Sequence, residues 1–230
     1  MKKLLIVSGC SWSNVNFISE LHPKLDTSWP KWHELLAEML DMELVSLGQS
    51  GAGQEYIFNS IVEYITKIND KNRIGLVIAA WSRSPRRDYQ VDSHWTNDRW
   101  DKCGDAYYMV NKSLRYFYQF QIFCERFELP YKQIHMLDST RIKDWERPGD
   151  LYYQPISRKK IDLTIGTSPL FNKINEDKFI GWPLIKEIGG YALDQKVIYD
   201  KKEKYRISEI DFHPNKKGNE TLASYIYANL

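Results

Sequence analysis

Cysteine is scarce in this chain, and long apolar runs are missing. Cys10, Cys103 and Cys124 are the only cysteines in 230 residues, an odd and widely spaced set with no C-x-x-C pair. This argues against a disulfide framework or structural zinc and predicts reduced thiols in a cytoplasmic protein. No stretch approaches the roughly 18 apolar residues of a membrane-spanning helix. Excess charge is lacking too: the net charge is +2 and the two signs are interspersed, so no field selects nucleic acid or an anionic membrane. His22, His33, His94 and His135 show no H-x-x-x-H spacing, so neither metal nor cofactor is expected. Internal repeats and low-complexity segments are also lacking.

What is present is enough material for one core. With 43% hydrophobic residues, residues 1–230 suit a single α/β domain. Leu4-Leu5-Ile6-Val7, stopped by Gly9, reads as a strand covered on both faces. Ser28 and Pro30 supply a helix start, with Trp32, Leu35, Leu36, Met39 and Leu40 at helical spacing. Glu43 to Leu47 is a second strand, closed by "GQSGAG". Ile57, Ile61, Ile65 and Ile68 then share a helical face. "IGLVIAAW" is a third strand; Leu114, Phe117, Cys124 and Phe127 lie along a helix; "YKQIHML" is a fourth strand. Repeated β-α units imply a mostly parallel, doubly wound sheet. Residues 139–206 break the pattern, and an insertion or lid, with another strand, is expected there. A terminal helix carries Leu222, Ala223, Ile226 and Leu230.

Ligands of such sheets bind outside the carboxyl ends of the strands. There the loops "GCSWSN", "GQSGAG" and "WSRSPRR" should converge. Ser11 therefore has three readings: a turn residue after a buried strand, a neighbour of a lipidated Cys10 in an export signal, or a mounted nucleophile. The apolar run is shorter than the 7 to 15 residues or so of a signal peptide core. A serine nucleophile needs a base, an orienter for that base and donors for the developing oxyanion. Ser11, His213 and Asp211 supply the first three groups, and the backbone amides of Ser11 and Gly51 can face the oxyanion. Turn and loop roles for Ser11, His213, Gly48, Gly51 and Gly53 compete with this reading, as does Cys10 in the place of Ser11.

"GCSWS", "SLGQSGAG", "VIAAWSRS" and "DFHPNKKGNETLASYI" together resemble the four ordered sequence blocks of the SGNH (GDSL-like) hydrolase family. The resemblance implies a flavodoxin-like three-layer α/β/α sandwich and ester hydrolysis through a serine acyl-enzyme. By position it implies Ser11 as nucleophile, Gly51 and Arg83 at the oxyanion, and Asp211 and His213 as orienter and base. Three residues depart from the pattern. Cys10 replaces the usual aspartate before the serine, and Arg83 stands where the family has asparagine. Asp211 lies two residues before His213 instead of three, so a different backbone turn must bring its carboxylate to the ring.

Arg83, Arg86 and Arg87 form the compact basic cluster near the expected crevice, either a solvated loop or a site for a carboxylate, phosphate or sulfate. Trp81, Trp95 and Trp100 also fall near it, as packing or as faces for sugars. The expected activity is an acyl- or acetyl-esterase acting on a small-molecule or glycan ester. The alternatives are an acyltransferase using the same residues, or a binding or accessory protein on this fold with an impaired catalytic set.

Overall fold

The apolar run at the amino terminus becomes the middle of a sheet. The computed structural model describes residues 1–98, 105–139, 157–199 and 204–230. Strand β1 (Leu4–Gly9) is buried along its whole length, and each of its Leu, Ile and Val side chains contributes about 1.5 to 3 kcal/mol by leaving water. It lies between β2 (Glu43–Ser46) and β3 (Ile74–Trp81). The one polar side chain inside β1 is satisfied: Ser8 Oγ and Ser60 Oγ share a hydrogen bond of 2.7 Å, as burial requires.

The chain then leaves the sheet for an antiparallel hairpin, β4 (Arg87–Val91) and β5 (His94–Asp98), before returning as β6 (Tyr131–His135) and β7 (Phe179–Ile180). The main sheet has the order β2-β1-β3-β6-β7 and every pair in it is parallel. Leaving the hairpin aside, this is the flavodoxin-like strand order, whose direction reverses between β1 and β3. The expected doubly wound α/β fold is present.

Helices cover both faces because right-handed crossovers leave β1 toward β2 and return past it to β3. Helix α1 (Trp32–Met39) packs on α5 (Lys216–Tyr227), while α2 (Gln54–Lys67) packs on β1, β3 and α3 (Ala106–Arg126). Ile57, Ile61 and Ile65 on α2, and Leu114, Phe117 and Cys124 on α3, are fully buried. The helical faces read from the sequence are thus largely the core-facing ones, with Met39 on α1 an exception at 45% exposed. Phe127 and Leu230, assigned to those faces, are 42% and 38% exposed because each lies beyond the last turn of its helix.

The structure departs from or sharpens the sequence reading at three places. Helix α1 starts at Trp32, not near Ser28, because Glu34 Oε2 accepts the backbone N–H of Lys31 at 2.7 Å and closes the first turn there. Residues 87–98, given no strand in the sequence reading, form the hairpin. Trp81, read as packing or as a face for sugars, is packing: it is fully buried, with its indole N–H donated to Gln133 Oε1 at 2.9 Å.

Between 139 and 206, α4 (Arg158–Gly166) packs on α3 and β7 extends the sheet beside β6. That supplies the further strand expected there. Of the expected insertion, residues 140–156 and 200–203 lie outside the described residues, as do Trp100 and Cys103 before it. Among the described residues no helix is long and apolar enough to cross a membrane.

Candidate active site

Strand β1 hands the chain directly to a single 3-10 turn, Ser11–Ser13, closed by Ser13 N–H to the Cys10 carbonyl at 2.8 Å. Cys10 itself turns into the core with no exposed surface. Ser11 faces the other way and stays half-buried at the carboxyl edge of the sheet.

His213 arrives from the opposite end of the chain. Helix α5 is capped by Asn215, whose Oδ1 accepts Gly218 N–H at 2.9 Å and whose amide donates to the Arg206 carbonyl at 2.9 Å. The Ile207 N–H donates to the His213 carbonyl at 2.9 Å and ties the two sides of this loop together. The cap fixes the loop, and the loop fixes the ring. His213 Nε2 lies 2.8 Å from Ser11 Oγ. Its Nδ1 lies 2.6 Å from Asp211 Oδ1. Phe17 stacks on the imidazole with ring centres 4.2 Å apart, and Trp12 flanks it at 6.5 Å.

Asp211 is 3% exposed. Burial alone would raise its carboxyl, but hydrogen bonds from the His213 ring, from Ser19 Oγ and from the His213 amide outweigh that and hold it at about 2. It is therefore a carboxylate near neutral pH, able only to accept. The proton between it and the ring must sit on Nδ1, which leaves the Nε2 lone pair to accept from Ser11 Oγ–H. The hydrogen bonds that keep one carboxylate ionised thus set the tautomer of the ring.

Gly51 lies in the loop after β2 with φ +81. A Cβ added there would fall 2.5 Å from Asn97 Oδ1 on the hairpin, so both its conformation and its neighbour require glycine. Among the described residues its amide has no hydrogen-bond partner. The carboxylate of Asp88, on β4, holds this loop: it accepts Gly53 N–H at 2.8 Å and Tyr56 N–H at 3.0 Å. Arg86 Nη1 donates to the Ala52 carbonyl at 2.9 Å.

Ser11, Gly51, Arg83, Asp211 and His213 all line one cavity of about 400 Å³. Arg86 lines it as well, while Arg87 is exposed on β4 and does not. The structure therefore brings together Ser11, Gly51, Arg83, Asp211 and His213 around one cavity. Sequence reasoning missed Ser19, Phe17 and Asp88, which belong to no motif and act across long stretches of chain. It also gave Trp95 a place near the cavity, whereas Trp95 lines a separate open groove beside Tyr116 and Glu63. Two of the remaining histidines are core residues: His33 is buried against Ser46, where burial drives it down to about 3, and His135 bridges Ser139 and the Tyr191 carbonyl. Among the described residues no group of three or more His, Cys, Asp or Glu could hold a metal.

No protein-family model matches the sequence, and no curated protein is similar to it. Solved structures are similar to it. A protein described as lipolytic and of the G-D-S-L family, from Desulfitobacterium hafniense DCB-2, aligns over 100% of both chains with a TM-score of 0.52 at 12% identity. The chain has a G-D-S-L-like fold. A second protein described as a member of the lipolytic G-D-S-L family, from Veillonella parvula DSM 2008, covers 96% of this chain and 94% of its own at 11% identity, with a TM-score of 0.50. In this G-D-S-L-like fold Ser11 and Arg83, which follow β1 and β3, line the same cavity at the point where the strand order reverses.

Proposed function

We propose that the protein is a serine-dependent ester hydrolase. The observation that carries the reading is the continuous relay from Ser11 Oγ through His213 to a buried carboxylate at the wall of a cavity. The solved structures described as lipolytic are consistent with it.

In this reading Ser11 Oγ attacks the ester carbonyl while His213 Nε2 takes its proton. The carbonyl π electrons move to oxygen, and the oxyanion faces the amides of Ser11 and Gly51, with Arg83 close enough to the cavity to add a positive charge. The tetrahedral intermediate expels the alcohol, which takes the proton back from His213 and leaves an acyl-Ser11 ester. Water, deprotonated by the same nitrogen, then attacks that ester, and the products are one acid and one alcohol. Another alcohol in the place of water would make the protein an acyltransferase with no change of residue. The cavity is of a size suited to a small-molecule ester or one sugar unit of a glycan. Residues 1–230 act in this reading as one domain, with 139–206 contributing Tyr199 to the cavity wall.

The test is covalent. A fluorophosphonate should label the protein once, on Ser11, and Ser11→Ala should abolish both labelling and turnover of short-chain esters, the rate falling by about three powers of ten or more. A binding protein with an impaired set would give neither labelling nor turnover while still retaining a ligand.

A further inference from the structure

The cavity walls differ on the two sides of Ser11. One side is built from residues 17–21 and 210–212, the segments that carry the His213 contacts: Phe17 stacks on the ring and Ser19 holds Asp211. Its apolar members include Ile18, Leu21 and Ile210, which are 67%, 55% and 63% exposed at the mouth. Its charges are negative, Glu20 and Asp211. The other side is the loop after β2 and the end of β3. There Gly51, Pro85 and Leu137 line the cavity together with two arginines, Arg83 and Arg86. Arg86 belongs to this side because its Nη1 is bonded to the Ala52 carbonyl and, at 2.7 Å, to Ser82 Oγ.

The chemistry orients an ester across this divide. The leaving oxygen must come within hydrogen-bond reach of His213 Nε2 to take its proton, so the alcohol lies on the apolar, negatively charged side. The acyl chain then runs away from the imidazole, past Gly51, toward the two arginines. Resting on the hydrolase reading, we propose that the preferred substrates are esters of an apolar alcohol with an acyl group that ends in an anion, a carboxylate above all. A guanidinium makes charge-assisted, often paired bonds to a carboxylate. An anion on the alcohol would instead meet Glu20 and Asp211. The inference asks of Arg83 only its charge at this wall. Asp194, buried behind it, offsets that charge in part, because burial and the neighbouring Asp138 push its carboxyl up to about 7.

The experiment compares three esters of matched size on the full chain: the half-ester benzyl glutarate, the neutral benzyl pentanoate, and the pentanoyl ester of 4-(hydroxymethyl)benzoate, whose anion is on the alcohol. Benzyl glutarate should exceed benzyl pentanoate in kcat/KM by about tenfold or more, and the third ester should be the slowest. In Arg83→Gln and Arg86→Gln the ratio of the first two should fall toward one. A readout that needs no variant is protection: glutarate should slow fluorophosphonate labelling of the parent more than pentanoate does at equal concentration. A ratio at or below one in the parent, a ratio that survives both substitutions, or equal protection by the two acids overturns the inference while labelling of Ser11 leaves the hydrolase standing. Absence of both labelling and turnover removes the hydrolase reading, and this inference with it.

Discussion

Asp211 and His213 are joined twice within one turn: Asp211 Oδ1 accepts the His213 backbone N–H at 3.0 Å and lies 2.6 Å from its ring Nδ1. The short spacing in the sequence is made workable by this turn, in which the aspartate caps the backbone two residues on and presents the same oxygen to the ring. The carboxylate therefore both shapes the loop and orients the imidazole.

Asp211→Asn should separate these duties. The amide can keep the backbone bond, but it no longer fixes the Nδ1–H tautomer, so kcat should fall by about two to four powers of ten with KM changed less. The stability cost has a defined pH window. The carboxyl is lowered from 3.8 to about 2, so its contribution is fully present above 3.8 and is lost as the pH falls through about 2. At neutral pH this amounts to about 2 kcal/mol. Urea unfolding of parent and variant should show that difference at pH 7 and a shrinking one near pH 3. A constant difference would mean that the carboxylate gains nothing from its partners.

How far the sequence reveals this depends on how local the signal is. The strands β1 and β3 are readable because continuous apolar runs are what a strand buried on both faces requires, while the edge strand β2 and the mixed β6 are readable as short runs set between helical patterns. The hairpin is not, because Arg87–Val91 and His94–Asp98 carry polar side chains on both faces and their turn is Asp92-Ser93, both at positive φ without a glycine. Ser11, Asp211 and His213 stand out through motif order. Ser19 and Asp88 do not, because each finds its partner only after distant segments have folded together.

Gly51→Ala tests the loop that faces Ser11. The new methyl would need a left-handed backbone, φ +81, and would fall 2.5 Å from Asn97 Oδ1. A loss of about 1 to 3 kcal/mol is expected, together with a drop in kcat of about ten- to a hundredfold as the Gly51 amide moves. Thermal unfolding and steady-state kinetics measure the two effects. Unchanged kcat in a folded variant would exclude Gly51 from the oxyanion site.

Asp88→Ala tests the support behind that loop. Helix α2 begins at Gly53, which has no side chain to cap it, and Asp88 supplies the missing acceptor from the hairpin. Its removal should cost about 1 to 2 kcal/mol of stability and raise hydrogen exchange at Gly53 to Tyr56 ahead of the rest of α2. If exchange there stays at the parent rate, the hairpin does not hold the helix start.

Asp194 makes the opposite pH prediction from Asp211. Its side chain is fully buried; Oδ1 accepts the Asp138 and Gln195 amides, and Oδ2 has no hydrogen-bond partner among the described residues. Burial and the charge of Asp138 raise its carboxyl from 3.8 to about 7, against the pull of Arg83. A raised folded value means that the neutral form is favoured in the native state. The associated stability is fully present below 3.8 and is lost as the pH rises through about 7. Asn cannot ionise, so the stability of the parent relative to Asp194→Asn should decline by about 2 to 3 kcal/mol between pH 5 and pH 7, read from urea unfolding at each pH. The same ionisation places a negative charge behind Arg83, so any preference for anionic acyl groups should weaken over the same range in the parent and hold steady in the variant. A difference in stability independent of pH would show that Asp194 does not change its charge there.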